Sequence, residues 1–126
     1  MPICLVIDSN EFDRRMLVNV INKLDYEVLE ANNGGQACTL YGKHHPQLIF
    51  VNWSMPEAEG SEFIKSIRAL SGGDKPYIIT YSADGEMSAQ NIASDAYNAG
   101  SDDYIQRPIT QEKLKDMLTA GGCVRA

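Results

Sequence analysis

Apolar residues fall along this chain in two rhythms. Unbroken runs, Ile3-Cys4-Leu5-Val6-Ile7, Leu48-Ile49-Phe50-Val51 and Tyr77-Ile78-Ile79-Thr80-Tyr81, read as strands buried on both faces. Between them, apolar positions recur every three or four residues, as on one face of a helix. The first strand covers residues 3–8. Asn10 caps the helix that follows, with Asp13 three residues on. Met16, Leu17, Val20, Ile21 and Leu24 make its inner face, while Arg14, Arg15, Asn19 and Lys23 look outward. Residues 26–31 alternate and predict an edge strand with one face partly wet. Asn32-Asn33-Gly34-Gly35 reads as a turn before a short helix over residues 36–42. His44 and His45 read as loop residues before Pro46, far in sequence from any acid at a strand end.

Beyond the central run, Ser61 is placed to cap a helix whose Phe63, Ile64, Ile67 and Leu70 face the sheet. The fourth strand spans residues 77–82. A weakly apolar helix follows over residues 84–98, offering the core Ile92, Ala93, Ala96 and Tyr97. Shallow burial predicts low local stability there, so this element is expected to move or to be shared with a partner. Tyr81 and Tyr97 themselves read as packing residues. Ala99-Gly100-Ser101 turns into a fifth strand over residues 103–106. Thr110 caps the last helix, with Ile109 and Leu114 as a hydrophobic staple and Leu114, Met117 and Leu118 inward. Five strands alternating with five helices predict an α/β fold, a doubly wound parallel sheet with helices on both faces.

The way the strands stop points to a site. The central run ends in Asn52, and the others end in Asp8, Ser82 and Arg107. In open parallel sheets, ligands and chemistry collect at the carboxyl ends of the strands. These four polar residues are therefore expected to meet along one edge.

Composition narrows the classes. The 126 residues make one domain, read as residues 1–120 with a tail or cut linker at 121–126. A net charge of −6 and a pI near 4.8 argue against a nucleic-acid surface. No apolar run approaches the ~20 residues that span a bilayer, and the first residues lead straight into a strand, with no signal-peptide pattern. Cys4, Cys38 and Cys123 lack metal spacing and read as structural thiols in a reducing cytosol. An enzyme or small-ligand binder of this fold is disfavoured. Asp8-Ser9-Asn10-Glu11 has no glycine to cradle phosphates, and no Ser–His–Asp or Cys–His set converges.

In these residues the chain resembles the receiver domains of two-component response regulators, over residues 2 to 119. The resemblance rests on Leu5-Val6-Ile7-Asp8, Asn52-Trp53-Ser54-Met55-Pro56, Glu59-Gly60, Ser82-Ala83 and Tyr104-Ile105-Gln106-Arg107-Pro108. It implies a flavodoxin-like sheet in the order 2-1-3-4-5, with a phosphorylation pocket where the order reverses. By the same likeness, Ser82 is the hydroxyl that senses a phosphoryl group, and Tyr104 is the aromatic switch. The Arg107-Pro108 bond is expected to be cis. Protein partners (a histidine kinase, an output domain or another regulator) are expected on the face of the fourth helix, fifth strand and fifth helix. That face carries Tyr97, Tyr104 and Pro108, and a homodimer is compatible with it. The setting is cytoplasmic, without nucleic acid or membrane.

The departures decide the expected chemistry. Relatives carry an aspartate where Asn52 stands, a second acid where Ser9 stands, and a lysine where Arg107 stands. An ionised carboxylate attacks phosphorus, whereas a neutral amide with a delocalised nitrogen lone pair does not. Mg²⁺ wants hard, charged oxygens. Asp8 keeps one, Asn52 and the Ser54 carbonyl are neutral, and Glu57 and Glu59 lie on the adjacent loop where they would compensate if turned inward. No cofactor is expected beyond weak Mg²⁺ at these vestigial positions. Arg107 is expected either to pair with Asp8 or to turn out of the pocket. The chain thus reads as a non-enzymatic pseudo-receiver, a protein-binding module not switched by phosphorylation. The alternative is a phospho-accepting receiver inactivated by an engineered Asp-to-Asn change at position 52.

Overall fold

The computed structural model of the protein describes residues 2–53, 55, 59–70, 76–82, 89–106 and 109–120. Five strands, β1 (Ile3–Ile7), β2 (Glu27–Ala31), β3 (Leu48–Asn52), β4 (Tyr77–Tyr81) and β5 (Asp103–Ile105), alternate with five helices. The helices are α1 (Glu11–Asn22), α2 (Gly34–His44), α3 (Glu59–Ala69), α4 (Ala89–Ala99) and α5 (Gln111–Ala120). All strand pairs are parallel, in the order β2-β1-β3-β4-β5. The doubly wound flavodoxin-like fold expected from the sequence is the fold observed.

Strand alternation sends neighbouring residues to opposite faces, so the sheet has two cores. Val6, Phe50, Ile79 and Ile105 pack with Leu17 and Ile21 of α1 and Leu114 and Leu118 of α5. Leu5, Ile7, Ile49 and Val51 pack with Ala37 and Tyr41 of α2 and Phe63, Ile64 and Ile67 of α3. This two-sided burial is why the strands read as unbroken apolar runs. Strands β1, β4 and β5 each stop one residue short of the predicted end. Asp8 and Ser82 are left just past the ladder, on the polar rim.

The helices differ from expectation in phase and in ends. In α1 the buried residues are Leu17, Val18 and Ile21, while Met16 is 55% exposed. The inward stripe is rotated toward Val18, and this carries Arg14 inward too, three and four residues before Leu17 and Val18. The second half of the turn expected at residues 32–35 is already helix. The Asn33 side chain accepts from the Gln36 N–H at 2.8 Å, so Asn33 is the cap and both glycines are helical. His44 closes α2, and His45 takes the left-handed cap conformation with its ring edge-on to Tyr41. Helix α3 already includes Glu59, so Ser61 lies inside it, and Leu70 falls past its end and is exposed. The expected cap on α5 is in place, with Thr110 Oγ1 accepting from the Lys113 N–H at 3.1 Å.

Gly60 sets how closely α3 approaches the rim. A Cβ there would lie 2.7 Å from the Asn52 carbonyl oxygen, which is backbone and cannot step aside cheaply. Gly60→Ala is expected to destabilise the fold by about 1–3 kcal/mol through overpacking. Gly42, in α2, has nothing within 4 Å of the equivalent position. Gly42→Ala is expected to stabilise by about 0.5–1 kcal/mol. Urea midpoints of the two variants should move in opposite directions.

Candidate functional site

The carboxyl ends of β1, β3 and β4 form the site. Register pairs Ile7 with Val51 and Asn52 with Tyr81. One step further, Asp8 falls beside Asn52, so Asp8, Asn52 and Tyr81 make a row across three adjacent strands. All three are buried, and Asp8 has 0% exposure. A carboxylate taken wholly out of water must find compensating partners.

Asp8 finds them within the chain. Its Oδ1 accepts the Asn10 N–H at 2.9 Å and the Asn52 side-chain amide at 3.0 Å. Its Oδ2 accepts the Tyr81 hydroxyl at 2.8 Å. Because a carboxylate only accepts, Asn52 turns its NH₂ toward Asp8. The Asp8 carbonyl is held in turn by Arg14 Nη1 at 2.8 Å. Arg14 Nε pairs with Glu30 Oε1 at 2.9 Å, and Arg15 Nη1 with Glu30 Oε2 at 2.6 Å. Arg14 therefore does not look outward, contrary to the sequence reading. It ties the start of α1 to the end of β2 and anchors the loop after β1.

Ser9 is exposed beside the row. Ser82 is buried, and its Oγ lies 2.6 Å from the Tyr104 hydroxyl, a bond in which either oxygen can donate. Tyr104 is thereby held half-buried against the end of β4. Glu59 does not turn into the crevice, since its Oε1 accepts the Gly34 N–H at 3.0 Å, at the start of α2. Arg107, Pro108, Ser54 and Glu57 lie outside the described residues, and with them the expected cis bond and the pairing of Arg107 with Asp8. Tyr97 is 49% exposed on α4, with its hydroxyl 3.4 Å from Asp103 Oδ1. Partial burial, then the charge of Asp103, pushes the Tyr97 hydroxyl above its ordinary pKa.

A Mg²⁺ ion, which the resemblance implies, does not fit this arrangement. It needs oxygen lone pairs at about 2.0–2.1 Å in octahedral geometry. The Asp8 oxygens accept at least three hydrogen bonds, Asn52 turns an N–H and not an oxygen toward Asp8, and Glu59 is committed elsewhere. Among the described residues, no group of three or more His, Cys, Asp or Glu is placed to hold a metal. Burial raises the thiol pKa of Cys4 well above its usual value and that of Cys38 to a lesser degree, which disfavours a reactive thiolate.

Tyr81 is the residue sequence reasoning missed. An aromatic at the end of a buried strand reads as packing. The signal lay in the predicted strand order, which aligns residues 8, 52 and 81 on one face.

Comparison with known proteins agrees with this fold. The profile of the response regulator receiver domain matches residues 4–119. The chain is 32% identical over 115 residues to the chemotaxis protein CheY of Bacillus subtilis (strain 168), covering 90% of this chain and 92% of that protein. It is 34% identical over 115 residues to CheY of Thermotoga maritima, with the same coverage. The structure of CheY4 of Vibrio cholerae superposes with a TM-score of 0.83 at 24% identity, over 95% of this chain and 98% of that one, a likeness of fold. No helix among the described residues is long and apolar enough to cross a membrane. The chain belongs to the response regulator receiver domain family of two-component signalling.

Proposed function

We propose that this receiver domain works as a protein-binding module that is not switched by phosphorylation at position 52. The observation that carries the reading is the Asn52 amide turned N–H first onto Asp8 at 3.0 Å. A neutral amide in that pose offers no anionic oxygen to an incoming phosphoryl group. The nitrogen lone pair is delocalised, and the N–H dipole repels a cation. The module therefore does no chemistry of its own and has no need of a bound metal.

Partners are placed on the α4, β5 and α5 face by analogy with the family. Half-exposed Tyr97 and the Tyr104 hydroxyl bonded to Ser82 support this reading of the face. A histidine kinase, an output domain or another regulator fits this role, in a cytoplasmic setting. The engineered-inactivation reading requires an otherwise working site. Three features count against it: Ser9 in place of a second acid, Arg107 in place of a lysine, and the Tyr81 hydroxyl on Asp8. A single engineered substitution explains none of them.

Incubation of the unmutated protein with acetyl phosphate and Mg²⁺, followed by intact mass measurement, is expected to show no phosphoryl adduct. A hydroxylamine-labile addition mapping to the site would overturn the proposal.

The geometry of the partner face has its own signature at alkaline pH. Asp103 opposes the Tyr97 phenolate, so Asp103→Asn is expected to lower the Tyr97 pKa toward the ordinary tyrosine value. Difference absorbance titration against the same variant carrying Tyr97→Phe isolates this hydroxyl from the other five tyrosines.

A further inference from the structure

Position 52 accounts for one side of Asp8. The other is covered by Tyr81, which the sequence alone reads as a packing residue. Tyr81 ends β4 and Asp8 follows β1, so β3 lies between them. Two strand spacings amount to about 10 Å. Serine or threonine at position 81 would fall short of that distance, and phenylalanine would lack the donor. A tyrosine leaning across Asn52 spans the gap, and its hydroxyl meets Asp8 Oδ2 at 2.8 Å with all three side chains buried. The Tyr81 carbonyl is fixed as well, by the Trp53 N–H at 2.7 Å, so the residue is held from both ends.

We propose that Tyr81 locks this crevice, its hydroxyl holding Asp8 as a hydrogen-bond acceptor and excluding a divalent cation whatever stands at position 52. A cation bound at Asp8 Oδ2 must compete with the hydroxyl, which takes one of that oxygen's two lone pairs and the space beside it. Entry therefore breaks a hydrogen bond between buried groups and pushes an aromatic ring out of a packed layer. Restoring an aspartate at position 52 supplies charge but leaves this obstacle in place. The lock rests on the phosphorylation-independent reading and adds to it a second residue, distant in sequence, that keeps the site closed.

The test compares Asn52→Asp with the double variant Asn52→Asp, Tyr81→Phe, titrating each with Mg²⁺. Trp53, the single tryptophan, directly follows position 52 and serves as the fluorescence reporter, with calorimetry as an independent readout. The double variant is expected to bind Mg²⁺ at least fivefold more tightly than Asn52→Asp alone. A smaller gain, or no saturable binding by the double variant, overturns the lock. Both proteins are first checked for a cooperative thermal transition; should the phenylalanine variant lack one, Tyr81→Leu takes its place in the same comparison. Failure here is distinct from failure of the proposed function, which is read as phosphate uptake by the chain with Asn52 and Tyr81 both in place.

Discussion

A carboxylate with no exposure to water, at the meeting point of three strands, imposes the constraint from which the rest of the rim follows. Its charge must be balanced by a cation or by hydrogen-bond donors, because an uncompensated buried anion is too costly to keep. In the receiver family the resemblance implies a metal ion for that task. Here the chain's own donors take it up: the Asn10 N–H, the Asn52 amide and the Tyr81 hydroxyl. Charge-assisted hydrogen bonds of this kind are shorter and stronger than neutral ones, and at least three of them converge on one group.

The surrounding structure serves that convergence. Arg14 fixes the main chain of Asp8 and pairs with Glu30, so the loop after β1 is braced against the edge strand. Gly60 lets α3 close on the Asn52 carbonyl, and Trp53 ties the end of β3 to the end of β4. Glu59, the acid best placed in sequence to supplement Asp8, is instead bound to the start of α2. These contacts brace the loop after β1, the ends of β3 and β4 and the start of α3 around the row of Asp8, Asn52 and Tyr81.

Much of this was legible in the sequence, for a definite reason. Burial on both faces leaves unbroken apolar runs, and the polar residue at the end of each run marks the rim. Asp8, Asn52 and Ser82 were found that way. Tyr81 was not, because its partner lies 73 residues away and the contact depends on strand order and register together. A local window sees an aromatic in a strand. Arg14 was misread for a related reason: its role depends on the phase of the inward stripe of α1, which Val18 shifts and Met16 obscures. The start of α2 was hidden by two glycines that look like a turn, although Asn33 followed by Gln36 three residues later carries the spacing of a capping box.

Two hydroxyl contacts bear on how such a module would signal. Ser82 and Tyr104 are bonded to each other, and Tyr81 to Asp8. A ligand moves a conformational equilibrium only by binding one state better than another. On the proposed function, the crevice takes neither phosphate nor metal, so no such preference arises there. The shape of the α4, β5 and α5 face is then set by the fold and its internal hydrogen bonds, not by the chemical state of position 52. Regulation would have to act through the amount of the protein or through a partner that binds elsewhere on it. Among the described residues, Asn52 and Tyr81 are hydrogen-bonded to Asp8 and Ser82 to Tyr104, contacts that suit a surface used, on that proposal, for its fixed shape.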